Sequence, residues 1–175
     1  MASISVVVPD SLGGREKIVR PPNTQDQTDE AAEHARFRAA VPTADTIVSA
    51  LYRKGATPSG LILMAGTGRI EGNREIIVDK LIYSTPTDKL GGLQGVLSPA
   101  LRYVDLVSVD LGPFGGLAKC AGQNRRNDPN NLNYPVAVCA WADRGSVGTV
   151  IWPTASVEIA GNEFATIRGQ VEQVN

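Results

Sequence analysis

The plainest pattern lies at the C-terminal end, where Val157, Ala160, Phe164, Ile167, Val171 and Val174 recur at spacings of 3, 4, 3, 4 and 3. That periodicity lays one apolar stripe along a helix of about five turns, suited to lie across a sheet. A dimeric coiled-coil seam would use the same stripe, but the heptads are few and flanking charge pairs are sparse. Just upstream, "VAVCAWA" (136–142) and "VGTVIW" (147–152) read as strands joined by the turn "DRGS", with Pro153 ending the second. Gly145 is expected in the left-handed position of a three-residue hairpin loop. "RYVDLVSVD" (102–110) alternates strongly, and "FGGLAKCAG" (114–122) is its hairpin partner across Leu111–Pro113. "DTIVSALYR" (45–53) and "SGLILMAGT" (59–67) flank the Gly/Pro turn "KGATP" and predict another hairpin.

Two further helices are predicted. "DQTDEAAEHARFRAA" (26–40) carries its acids early and its arginines late, as the helix dipole favours, and ends before Pro42. "NREIIVDKLIYS" (73–84) has apolar residues at helical spacing behind Asn73, a good N-cap. "TPTDKLGGLQGVLSPA" (85–100) reads as a glycine-rich loop with room for a short helix. Pro9, Gly13, Gly14, Pro21 and Pro22 exclude a long helix from residues 1–25, which read as an irregular N-terminal segment or linker ahead of a single domain over 26–175. The element order predicts an α+β fold: a mostly antiparallel sheet of about six strands packed with helices, the long C-terminal helix across it.

Composition narrows the function more than the fold. The chain has 175 residues, 42% apolar and 20% charged, as expected of one globular domain. A net charge of −1, from 17 basic and 18 acidic residues, makes no electrostatic case for nucleic acid or an anionic membrane. Three Phe, four Tyr and two Trp are too few for a stacking platform. No run approaches the roughly 20 apolar residues of a membrane span. "MASISVVVPDSLGG" lacks the basic start of a signal peptide.

The candidate chemistry is thin. One histidine, His34, and two cysteines without metal-ligand spacing predict no metal site, and His34 reads as a solvated residue on a polar helix face. No cofactor is expected. Ser146 in "DRGSVG" lacks the glycine that G-x-S-x-G requires two residues earlier and sits in a β-turn instead of a strand-to-helix elbow. A triad of Ser146, His34 and Asp143 exists only on paper. "GTGRIEG" (66–72) lies between a strand and a helix, but Glu71 replaces the third glycine of a phosphate loop and would repel phosphate. Asp105 and Asp110 on one strand point to opposite faces and make no carboxylate pair unless a bulge intervenes. Arg125 and Arg126, in the long polar loop Ala121–Pro135, are the candidate partner-binding residues.

Cys120 and Cys139 fall on neighbouring predicted strands, which argues for a bridge closing that loop at its base; two buried free thiols are the alternative. With "SLGG", an Ala/Glu-rich helix and "LILMAGTGRI", the segment "FGGLAKC…VAVCAWADRGSVGTV" resembles the extracytoplasmic domains of uncharacterised actinobacterial proteins, over about residues 10–172. Those domains are tethered by an N-terminal transmembrane helix or lipid anchor. The resemblance implies a Cys120–Cys139 disulfide, a location outside the cytoplasm and an anchor that the given chain does not contain; it implies no activity. The expectation is therefore a non-catalytic extracytoplasmic domain that binds a protein partner or a cell-envelope component. A small-ligand or lipid carrier is the alternative, calling for an apolar cavity above about 300 Å³ between the sheet and the C-terminal helix. A hydrolase using Ser146 or an acidic residue comes third.

Overall fold

The computed structural model describes residues 3–19, 24–55, 60–84, 104–109, 111–124 and 135–175. In chain order the elements are β1 (Ile4–Val6), β2 (Ser11–Leu12), β3 (Arg15–Ile18), α1 (Thr24–Ala40), β4 (Thr46–Arg53), β5 (Gly60–Thr67), α2 (Arg74–Ser84) and β6 (Val104–Ser108). A short 3-10 turn, Gly112–Phe114, leads to β7 (Leu117–Asn124), β8 (Pro135–Ala142), β9 (Ser146–Trp152), α3 (Val157–Val171) and β10 (Glu172–Val174).

Eight strands form one antiparallel sheet in the order β2-β3-β4-β5-β9-β8-β7-β6, so the fold is α+β. The six long strands read from the sequence all belong to it, and β2 and β3 extend it at one edge. β1 and β10 pair separately as a two-stranded ribbon. The N-terminal segment thus carries three short strands where an irregular stretch is expected. Strands of two to four residues hold too few positions for an alternation to register. The C-terminal helix ends at Val171, and Val174, read as its last apolar position, lies on β10 instead.

The sheet is covered on both faces. Trp141, Trp152, Cys120, Cys139, Leu61 and Leu63 pack with Val157, Ala160, Phe164, Ile167 and Val171 of α3. On the other face Val136, Val138, Ala140, Val147 and Ile151 pack with Phe37 and Val41 at the end of α1 and Ile77, Val78, Leu81 and Ile82 of α2. This is why β8 and β9 read as almost continuous apolar runs: neither face of these central strands meets water. Asn73 caps α2, its Oδ1 accepting from the Glu75 and Ile76 amides at 2.9 and 3.4 Å. Ser156 caps α3 through the Ile159 amide.

Cys120 and Cys139 face each other in the β7–β8 ladder, their Cα atoms 4.0 Å apart, and are joined by a disulfide. The bridge lies mid-strand instead of at the loop base: pairing runs on through Asn124 and Pro135, well beyond the cysteines. Both sulfurs are sealed in the α3-side core.

Candidate functional site

The densest polar chemistry is buried where the β8–β9 turn meets the end of α3. Trp141 is the penultimate residue of β8, Asp143 opens the turn and Ser146 begins β9, while Arg168 in the last turn of α3 and Glu172 just after it stand four residues apart. All five are buried, Arg168 completely.

The turn is built by a side chain. Asp143 Oδ1 accepts from the amides of Gly145 and Ser146, both at 2.7 Å, and the Asp143 amide donates to the Ser146 carbonyl. An Asp side chain that mimics backbone in this way removes the need for a left-handed residue, and Gly145 is accordingly not in the left-handed region expected for it.

Around that turn the donors are committed one by one. Arg168 Nη2 donates to Asp143 Oδ2 at 2.7 Å and Nε to Glu172 Oε2 at 2.8 Å. Nη1 reaches the carbonyls of Gly115 and Leu111 at 2.7 and 3.2 Å, which pins the segment preceding β7. The guanidinium carbon lies 5.8 Å from the Phe114 ring centroid and 5.9 Å from that of Trp141. Trp141 Nε1 donates to Glu172 Oε1 at 2.7 Å and approaches Ser146 Oγ at 3.1 Å. Ser146 Oγ also contacts Asp143 Oδ2 at 2.9 Å and Glu172 Oε1. Burial, opposed by Ser146 and Arg168, pushes the Glu172 carboxyl above the ordinary carboxylate range.

A second polar link ties α3 to the sheet. Trp152 Nε1 donates to Glu163 Oε2 at 2.9 Å, and Arg15 Nη1 donates to the same oxygen at 3.0 Å. Trp141 beside the β8–β9 turn and Trp152 at the far end of β9 are thus both held by carboxylates from the C-terminal part of the chain.

The paper triad is not assembled. Asp143 and Ser146 meet, but His34 lies on the opposite side of the sheet, its Nε2 3.0 Å from Ser49 Oγ, and Ser49 donates to Glu30 Oε1 at 3.0 Å. Ser49 shares the face of Ile47, against α1 and α2, whereas Ser146 shares the face of Gly148 and Val150, against α3. His34 is therefore bonded across to β4 and not simply solvated.

The "GTGRIEG" stretch leads from β5 to the cap of α2 and docks on the β8–β9 turn, the Gly68 and Ile70 amides donating to the carbonyls of Gly145 and Arg144. Arg69 and Glu71 pair with each other at 2.9 Å. Gly68 is required by packing, since a Cβ there would collide with the Thr43 carbonyl. Asp105 lies in β6 beside a register shift between Val104 and Val107. Asp110, Arg125 and Arg126 lie outside the described residues.

A shallow cleft of about 240 Å³ opens between the end of α1 and the start of α2, lined by Val41, Pro42, Asn73, Ile76, Ile77 and Lys80. The interface between the sheet and α3, where a carrier would hold its ligand, is filled by Trp141, Trp152 and Phe164. Among the described residues, no cluster of three or more His, Cys, Asp or Glu is placed to hold a metal ion. No helix among them is long and apolar enough to cross a membrane.

Arg168 and Glu172 escape the sequence reading because Arg168 adjoins Ile167 of the apolar stripe and reads as its charged flank. Their spacing of four residues in the last helical turn, beside that stripe, is the signal that could have found them.

No protein-family model, curated protein or solved structure significantly matches this chain.

Proposed function

We propose that this chain is a non-catalytic extracytoplasmic domain, membrane-anchored in its full-length form, that binds a protein partner or a cell-envelope component through the segment carrying Arg125 and Arg126. The observation that carries this reading is the construction of the β7–β8 ladder. It is paired without interruption from Leu117↔Ala142 to Asn124↔Pro135 and bonded covalently inside. Residues 125–134 are joined to the fold at two adjacent strand ends, a base already ordered before any partner arrives. Such a base lowers the ordering cost of an interaction made there.

Two further observations support the reading. A buried disulfide is compatible with an oxidising, extracytoplasmic compartment. Ser146, in contact with the carboxyls of Asp143 and Glu172, is sealed and has its hydroxyl committed within the cluster, which suits a lock more than a nucleophile.

Photo-crosslinking in intact cells tests the binding surface. A crosslinking residue at position 125 should give a discrete adduct, weakened by Arg126→Ala, while one at exposed Glu158 should give none. Adducts of equal yield from both positions would refute the assignment. A phosphatase reporter fused to the full-length protein should be active, because that enzyme needs an oxidising compartment; an inactive fusion would refute the location.

A further inference from the structure

Ser146 Oγ is contacted by Asp143 Oδ2, by Glu172 Oε1 and by the indole nitrogen of Trp141. An ionised carboxylate only accepts hydrogen bonds, and a hydroxyl carries one proton. With both carboxylates charged, that proton satisfies Asp143 or Glu172 and leaves the other oxygen–oxygen contact without a hydrogen. The bonds of Arg168 run elsewhere, from Nε to Glu172 Oε2, from Nη1 to the carbonyls of Leu111 and Gly115, and from Nη2 to Asp143 Oδ2. One additional proton within the cluster would satisfy that contact.

The surroundings say which carboxylate carries it. Asp143 already accepts from four donors, two backbone amides on Oδ1 and Arg168 with Ser146 on Oδ2. Glu172 has the Trp141 indole and Arg168 Nε, and is 2% exposed. The groups facing it are Arg168 from α3, Asp143 from the turn, Ser146 from β9 and Trp141 from β8, while β1 opposes it with uncharged Val6. We infer that Glu172 is held in the folded protein as the neutral acid, donating to Ser146 Oγ while Ser146 donates to Asp143, and that this proton latches the terminal ribbon.

The latch follows from position. Glu172 is the first residue of β10, whose pairing with β1 comprises three residue pairs extended by Val7 N–H to the Val171 carbonyl and Asn175 N–H to the Ser3 carbonyl. A two-stranded ribbon this short has little stability of its own. With the proton in place the cluster is neutral: one guanidinium, one carboxylate, one acid. Without it, two carboxylates face each other out of water beside a single guanidinium. Turning Glu172 to solvent relieves that charge and takes β10 away from β1.

The direction with pH is fixed. The folded form keeps a proton that an unfolded chain releases in the ordinary carboxylate range, so the ribbon is fully latched below that range. The latch is lost as pH rises through the higher pKa of Glu172 in the fold.

Carbon-13 NMR of the side-chain carboxyls in the whole chain, combined with amide exchange, tests this. Glu172 should titrate above the ordinary carboxylate range. Protection of the Val7 and Asn175 amides, corrected for intrinsic exchange, should fall over the same interval. In Glu172→Gln, which keeps a neutral donor towards Ser146, that fall should vanish. If the variant does not fold, the two wild-type curves still decide: they must coincide. Glu172 titrating within or below the ordinary carboxylate range, or ribbon protection that ignores its titration, overturns the proposal.

Discussion

The indole of Trp141 lies against the backbone of Gly148, its register partner across the β8–β9 ladder, so closely that a Cβ at position 148 would fall inside the ring. The absent side chain lets the ring lie flat on the sheet and brings Nε1 to Glu172 and Ser146. One glycine thus determines where the buried cluster can form.

Gly148→Ala should therefore destabilise the fold by about 1–3 kcal/mol, the usual range for overpacking a dense core. The displaced indole would also surrender its bond to Glu172. Chemical denaturation should show a lower midpoint with an unchanged slope; an unchanged midpoint would mean that the ring has another place to go.

Arg168 is the sole cation bonded to Asp143 and Glu172 among the described residues. Arg168→Met should cost about 3–5 kcal/mol, because it leaves Asp143 buried without a counter-charge. Adding Asp143→Asn should recover part of that loss, since the two positions share one interaction. Thermal melts of the two single variants and the double variant measure the coupling, and simple additivity would show that the ion pair does not hold the turn to α3.

The disulfide closes a sequence separation of 19 residues. Its removal should cost about 3 kcal/mol through the unfolded state. Intact mass should lie two hydrogens below the reduced value, and thiol labelling of the denatured, unreduced protein should find nothing. Denaturation with and without reductant measures the stabilisation; labelling of both thiols in the unreduced protein would disprove the bridge.

Tyr52 donates to the Pro9 carbonyl at 2.9 Å, and burial, aided by the charge of Asp10, pushes its phenol up to about 12. The folded form holds this proton where an unfolded chain, titrating near 10, has lost it. The resulting stability is complete below pH about 10 and is lost as pH rises through about 12. Ultraviolet titration should show a late tyrosine step, together with unfolding, and Tyr52→Phe should remove the contribution of Tyr52 to it. Ionisation of all tyrosines in one step near their ordinary value would count against the assignment.

Much of the architecture is written in local patterns. The alternation of 45–53 and 59–67, the runs 136–142 and 147–152, the N-cap at Asn73 and the stripe from Val157 to Val171 each report contacts within a few residues. They predict six strands, three helices and their order, and the placement of Cys120 and Cys139 on neighbouring strands follows from them. Periodicity can do this because a residue's face is set by its own backbone repeat.

What the patterns do not carry is anything decided across the chain. Insertion of β9 between β5 and β8 joins the hairpins into one sheet, and no local signal specifies that pairing. Helix α3 stops at Val171 because Glu172 is drawn under Trp141 and its backbone pairs with β1, more than 160 residues away in sequence. Gly145 needs no left-handed turn because Asp143 supplies the missing acceptor, and His34 finds Ser49 because β4 passes beneath α1. The sequence alone determined which segments are helix or strand and which faces are apolar. Only the tertiary structure decided which charges are buried together, because a buried charge is tolerated where distant elements happen to deliver its partners.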